Sequence, residues 1–366
     1  MLFNYQYINH DIERLQDCLD HLFLEVWCKA DFNVDYDIEL LDPLLQTVIN
    51  KIYYDASVPY GKYLYEPIED VYKIFQQIDR ASKSKIAWLY LSNNCIEDLC
   101  NQEQGYLATT YNELSIYHKD LPDVLKDFYE SLYTNVLGLS IVKKEIGDLD
   151  DHYDNFKLAN DQGKCPFCGI NNIKGIYNSR REAYDHYLPK ATYPFNSVNF
   201  RNLAPMCHEC NSSYKLAKDP INAKPKKNPL KNNAGFKRKA FYIYSSQAND
   251  LGLTLNIKNN DINTLNETEI DIIINNPAVS EKIETWKDVF GIEERFKAIC
   301  LAKNDGKVWF SEATEGYENA QQDLGIGFTK EQWVTNLINV AKRSPYSGGN
   351  FIKAEFLQAF RNNGIL

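Results

Sequence analysis

Two Cys-x-x-Cys pairs, Cys165–Cys168 and Cys207–Cys210, constrain this chain more than any other feature. Thiolates bind zinc tetrahedrally, and two such knuckles supply four of them. The 38 residues between Cys168 and Cys207 exceed what a simple zinc ribbon needs. The surplus fits a hairpin inserted between the knuckles and tied at its base by the metal. A site closed by four sulfurs leaves no position for a substrate, so this zinc is expected to be structural. The total of nine cysteines is odd. There is no basic, then apolar, leader at Met1 and no run of 18 apolar residues, so a cytoplasmic protein with neither signal nor membrane span is expected. In a reducing compartment the paired cysteines favour metal over disulfides. Cys18, Cys28, Cys95, Cys100 and Cys300 read as small buried hydrophobes.

Charge is distributed unevenly. The chain of 366 residues carries a net charge of −10, yet Lys174–Lys239 holds 14 Lys and Arg against 4 Asp and Glu. That segment is +10 and the remainder −20. A local basic patch can steer toward phosphates although the molecule as a whole is acidic. Within it, Asp219 to Gly235 is rich in Pro, Lys and Asn and reads as an exposed basic loop.

Catalysis, if there is any, must come from the segment between the knuckles. Hydrolysis of a phosphodiester needs a base for water and a cation for the charge on the leaving oxygen. His186 suits the first role, since imidazole titrates near neutral pH. Asp185 offers a hard oxygen suited to Mg²⁺ or Mn²⁺. Asn211 follows Cys210 directly, so the knuckle fixes its backbone, and its carboxamide oxygen can serve as a second ligand. Asn202 would hold His186 in aim if its side chain bonded backbone across the loop. Lys215, one turn after Asn211, is in reach of a phosphate; Lys190, Arg180 and Arg181 are weaker candidates for nucleic-acid contact. His208 reads as a knuckle residue. Asp151-His152 reads as a surface pair.

The run Asp185-His186-Tyr-Leu-Pro189-Lys190, then Asn202-Leu203 ahead of Cys207-x-x-Cys210-Asn211 and Lys215, resembles the HNH endonucleases of the ββα-metal class. The resemblance covers about 50 to 60 of the 366 residues. It implies a β-hairpin and a helix around one divalent cation, with His186 as general base, Asp185 and Asn211 as ligands, and Asn202 as the middle Asn that shapes the loop. Asn211 stands where many members have a final His. More loosely, the motif and Tyr193-Pro194 resemble HNH nucleases of bacterial anti-phage systems. Septu-type systems pair such a nuclease with an ATPase, which implies a partner subunit for this chain.

The flanks are read from periodicity. Ile38–Tyr53, Glu66–Ile78 and Val124–Leu139 have helical spacing, with Pro43 near a first turn. Lys239–Ser245, Leu251–Ile257 and Glu269–Asn275 predict strands. Glu281–Ala302 predicts one helix; Thr329 with Gln332 predicts a capping box, and Gly364 a helix stop. The expected fold is α+β: mainly α-helical, with a central zinc-stapled ββα-metal module and a small β element in the C-terminal third. The expected segments are an acidic helical interaction domain over 1–160, the nuclease module over 161–238, and an α+β domain over 239–366. The expected function is a metal-dependent DNA endonuclease of anti-phage defence. The alternatives are the same fold acting on RNA, and a non-catalytic zinc ribbon binding nucleic acid or protein through Lys215–Lys239. Homo-oligomerisation is left open.

Overall fold

Helices carry about half of the chain, and among the described residues three small antiparallel two-stranded sheets are set in the loops between them. A computed structural model describes residues 1–53, 63–223, 236–248, 250–325 and 327–366. The stretch 224–235, most of the expected basic loop, lies outside them. Pro43 opens the helix Pro43–Tyr53, where its missing N–H costs nothing. Asp42 accepts from the Leu44 N–H at 2.8 Å and starts that turn. The helix Tyr65–Gln76 buries Ile68, Val71, Tyr72 and Phe75 on one face. Leu121–Ser131 continues into a wider π turn over Leu132–Val136. Against these pack Trp27, Phe23 and Tyr90, aromatic rings in a core that is otherwise mainly Leu, Ile and Val.

The strands are β1 (Ala183–His186), β2 (Leu203–Met206), β3 (Asn222–Ala223), β4 (Phe236–Lys237), β5 (Gly252–Ile257) and β6 (Ile270–Asn275). They pair as β1–β2, β3–β4 and β5–β6. The alternation of Leu255 and Ile257 with Thr254 and Asn256 is realised in β5, which pairs with β6 and lies against the helix Asn350–Asn362. The expected strand over Lys239–Ser245 is not one. Its Ala240, Phe241, Tyr242 and Ile243 are buried, but its backbone bonds go singly to Cys100 O and from Tyr5 N–H. Burial rather than strand pairing explains its apolar content. The single helix expected over Glu281–Ala302 is two, Ser280–Phe290 and Ile292–Leu301, broken at Gly291. Gly291 adopts φ +59°, and a Cβ there would stand 2.4 Å from the Tyr214 ring. The Thr329–Gln332 capping box forms as expected, ahead of Lys330–Arg343.

Core packing does not follow the boundaries 160 and 239. One core joins the cysteine knuckles to the C-terminal third, and it takes in Met1, Tyr5 and Ile12 from the start of the chain. The second core is helical, but Phe195 and Val198 from the β1–β2 loop are planted in it. Among the described residues, no helix is long and apolar enough to cross a membrane.

Candidate metal centre and active site

The four sulfurs of Cys165, Cys168, Cys207 and Cys210 lie within 4.8 Å of one another and are buried. The Cys165–Cys210 separation is 3.9 Å. A tetrahedral ion with bonds of about 2.3 Å to sulfur requires edges of about 3.8 Å. The cluster therefore fits a metal ion such as zinc. Local turns build it. Gly169 takes φ +70°, and a Cβ there would meet Leu2 Cδ1 at 2.0 Å, so both conformation and space demand glycine. Backbone N–H groups of Asn171 and Cys210 donate to the sulfurs of Cys168 and Cys207 at 3.5 and 3.4 Å. Neighbouring thiols hold the Cys168 thiol well below its ordinary pKa by hydrogen bonding, and the Arg295 charge adds to this. Arg295 comes from the C-terminal third: Nη1 reaches Cys210 Sγ at 3.2 Å and Nη2 reaches Glu209 at 3.1 Å. One buried guanidinium thus offsets part of the negative charge that four thiolates bring to a divalent ion. Five further cysteines are free thiols; Cys18, Cys100 and Cys300 are buried as expected, whereas Cys28 and Cys95 are only half-buried.

Between the knuckles runs the hairpin, with Asp185 opposite Ala204 and His186 opposite Leu203. Its loop is closed by Asn202, which is fully buried. The Asn202 carboxamide accepts from Leu188 N–H at 2.8 Å and donates to Leu188 O at 3.0 Å and Asn196 O at 3.2 Å. The loop is also anchored from outside. Phe195 packs on Phe23 and Tyr90 with ring centroids 5.1 and 5.6 Å apart, and Asn196 donates to Asn93 O. These anchors fix the carbonyl of Ser197, to which His186 Nε2 donates at 2.8 Å. A carbonyl only accepts, so Nε2 carries the proton and Nδ1 the lone pair. Among the described residues Nδ1 has no hydrogen-bond partner, and it is not among the sealed polar atoms. The imidazole is only 8 % exposed, with the Tyr133 ring 4.5 Å away. Burial lowers its pKa to about 3, so at neutral pH it is a neutral acceptor with one open nitrogen.

Asp185 has a partner that was not expected. Lys215 Nζ lies 2.8 Å from Asp185 Oδ2 and 2.8 Å from His186 O, with 1 % of its side chain exposed. The expectation that Lys215 reaches out to a phosphate is therefore corrected. The helix after Cys210 is π-wound over Cys210–Lys215, and this turns Lys215 inward. Burial raises the Asp185 pKa, and the Lys215 charge opposes the rise. Among the described residues Asp185 Oδ1 has no hydrogen-bond partner, and it is not among the sealed polar atoms. Asn211 shares the Lys215 face of the helix, since the bond from Leu216 N–H to Asn211 O at 3.0 Å closes one π turn. Its half-buried carboxamide makes no hydrogen bond among the described residues.

The other basic candidates scatter. Lys190 lies over the Tyr133 ring at 4.3 Å. Arg181 pairs with Asp150 at 2.6 Å, and Arg180 is exposed with no ion-pair partner among the described residues. His208 is exposed on the second knuckle. His152, expected at the surface, is buried and bonded to the Tyr184 hydroxyl, while Asp151 pairs with His10 at 2.9 Å. Arg295 and Tyr133 were not legible from sequence, since each reaches the site from a distant segment, and Ser197 was not because it acts through its backbone carbonyl. Asn171, three residues past Cys168, is the one whose position in a knuckle could have drawn notice.

His152 and His186 both have pKa values lowered to about 3 by burial. The unfolded chain takes up these protons near the ordinary value of about 6.5. Between those limits the unfolded state binds more protons, so stability falls as pH falls, by about 1.4 kcal/mol per unit for each imidazole. Asp185, raised by burial, acts in the opposite sense just above the ordinary carboxylate range. Urea unfolding midpoints are expected to drop steeply from pH 6.5 to 5.5 with zinc content unchanged. A flat profile would contradict the burial of both rings.

Against known proteins, 65 residues of the chain are 42 % identical to protein ea31 of Escherichia phage lambda. The match covers 18 % of this chain and 19 % of that protein, so it spans about a fifth of either. No protein-family model matches the chain. No solved structure matches it.

Proposed function

We propose that the chain is an HNH-type endonuclease of the ββα-metal class, hydrolysing phosphodiesters with His186 as general base. The observation that carries the reading is the aimed tautomer. Asn202 and Ser197 hold an imidazole that is neutral at physiological pH and whose one free nitrogen is open. A merely structural histidine at the end of a buried hairpin would have both nitrogens satisfied or sealed, as His152 Nε2 is. Asp185 and Asn211 are the residues that would hold a Mg²⁺ or Mn²⁺ ion, through Oδ1 and the carboxamide oxygen. When bound, that ion neutralises charge developing on the phosphate and the leaving oxygen. Lys215 keeps the Asp185 carboxylate oriented from its other oxygen and brings positive charge to the same pocket. His186 Nδ1 accepts a proton from the attacking water, while Ser197 O holds the ring through Nε2–H. The resulting imidazolium is destabilised by burial, which favours rapid release of the proton to solvent.

A base with a pKa near 3 is weaker than the near-neutral ideal. The bound phosphate would raise it by placing negative charge beside the ring. The acidic helical segment, whose Tyr133 covers His186, suits docking to a partner subunit such as an ATPase of a defence system. Full-length zinc-loaded protein should nick supercoiled plasmid or cut transfer RNA with Mg²⁺ or Mn²⁺, and EDTA should stop it. The substrate cut tells DNA from RNA. A zinc ribbon that only binds would retain either substrate without cutting it under any ion.

A further inference from the structure

An open groove of about 580 Å³ lies beside the start of β1. Its lining runs from Tyr153 and Lys157 past Asn178 and Arg180 to Ala183. Ala183 is the first residue of β1, and alternation along a strand places Ala183 and Asp185 on one face, about 7 Å apart. The groove therefore ends on the Asp185 side of the hairpin. On its rim, a tight turn closed by Gly175 N–H to Asn178 Oδ1 at 2.8 Å presents Tyr177, which is 97 % exposed, next to exposed Ile176. A tyrosine held out by an ordered turn is a platform that none of the described residues covers.

The charges of the groove narrow the choice of occupant. Asp150 is paired by Arg181 at 2.6 Å, Asp154 by Lys157 at 2.6 Å, and Glu182 by Lys174 at 3.2 Å. Among the described residues, Arg180 is the one charged residue of the lining without an ion-pair partner. Duplex binding depends on many phosphate contacts and a broad basic face. One free cation beside one bare aromatic ring suits a single strand instead, since base stacking is indifferent to sequence and needs few phosphates.

We propose that this groove receives single-stranded nucleic acid, with a base stacked on Tyr177 and a phosphate on Arg180, leading along β1 to the Asp185 face. The direction of travel rests on the reading of Asp185 as a ligand of the cutting ion; the binding does not. The test is fluorescence anisotropy with the full zinc-loaded chain in EDTA concentrations too low to strip the zinc. Its probes are labelled oligothymidine, oligouridine and a duplex of equal length. The wild type should bind one or both single strands more tightly than the duplex. Tyr177→Ala should weaken strand binding about five- to hundredfold, and Tyr177→Trp should restore it. Arg180→Gln should lower the salt slope by about 0.7. Preference for oligothymidine or for oligouridine identifies the strand, and either supports the proposal. It is overturned if the wild type binds no strand, prefers the duplex, or is indifferent to Tyr177→Ala. Strand binding without any cleavage would instead count against the nuclease reading alone.

Discussion

His186→Ala is expected to lower the rate of divalent-dependent nicking by about 10²–10⁴-fold, the range for loss of a positioned base. Folding should survive. The substitution leaves Ser197 O without its donor, a cost of about 1–3 kcal/mol. It also removes an edge contact with Tyr133. Both are small beside a typical total stability of about 5–15 kcal/mol. The variant should therefore keep its zinc and melt cooperatively a few degrees lower. The comparison separates chemistry from scaffold. Retained nicking at the wild-type rate would move the base elsewhere, whereas loss of nicking together with loss of zinc would make His186 a structural residue.

The largest expected effect on stability comes from Cys210→Ser. Cys210 is completely buried, accepts from Arg295, and faces Cys165 across the cluster. Binding of a structural zinc ion contributes about 10–16 kcal/mol in small zinc domains. That rivals the whole stability of a domain, so a three-thiolate site should not hold the hairpin closed. Zinc measured by elemental analysis should fall from one ion per chain toward none. The segment between the knuckles should become open to trypsin at Lys190 and Arg201. Arg295 would be left buried beside a lost counter-charge, which deepens the loss. Cys95→Ser, at a half-buried thiol outside the cluster, should leave the zinc content unchanged. Full zinc in Cys210→Ser would mean that the four sulfurs do not share an ion.

Much of the centre could be read from the chain because its information is local. Each Cys-x-x-Cys pair defines its own turn, and the excess length between the pairs announced a hairpin, which β1 and β2 form. The expectation that Asn202 bonds backbone across the loop agrees with its bonds to Leu188. What could not be read depends on packing at long range. Arg295 meets Cys210 from 85 positions away. Ser197 acquires its role only because Phe195 is buried among Phe23 and Tyr90. Lys215 looked like a surface cation because a regular helix was assumed; the π winding after Cys210 directs it to Asp185. The glycine at the Gly291 break was visible, but the Tyr214 ring packed against it was not.

Two ions of different hardness are the core of the proposal, one clasped by sulfur for structure and one on Asp185 for the cut. Titration of Mg²⁺ into zinc-loaded protein and supercoiled plasmid tests this most directly, with wild type and Asp185→Asn compared side by side. The account predicts saturable Mg²⁺-dependent nicking by the wild type, and none by the variant although its zinc is intact. Nicking by both chains at the same Mg²⁺ concentration, or by neither at any concentration or with Mn²⁺, would contradict it.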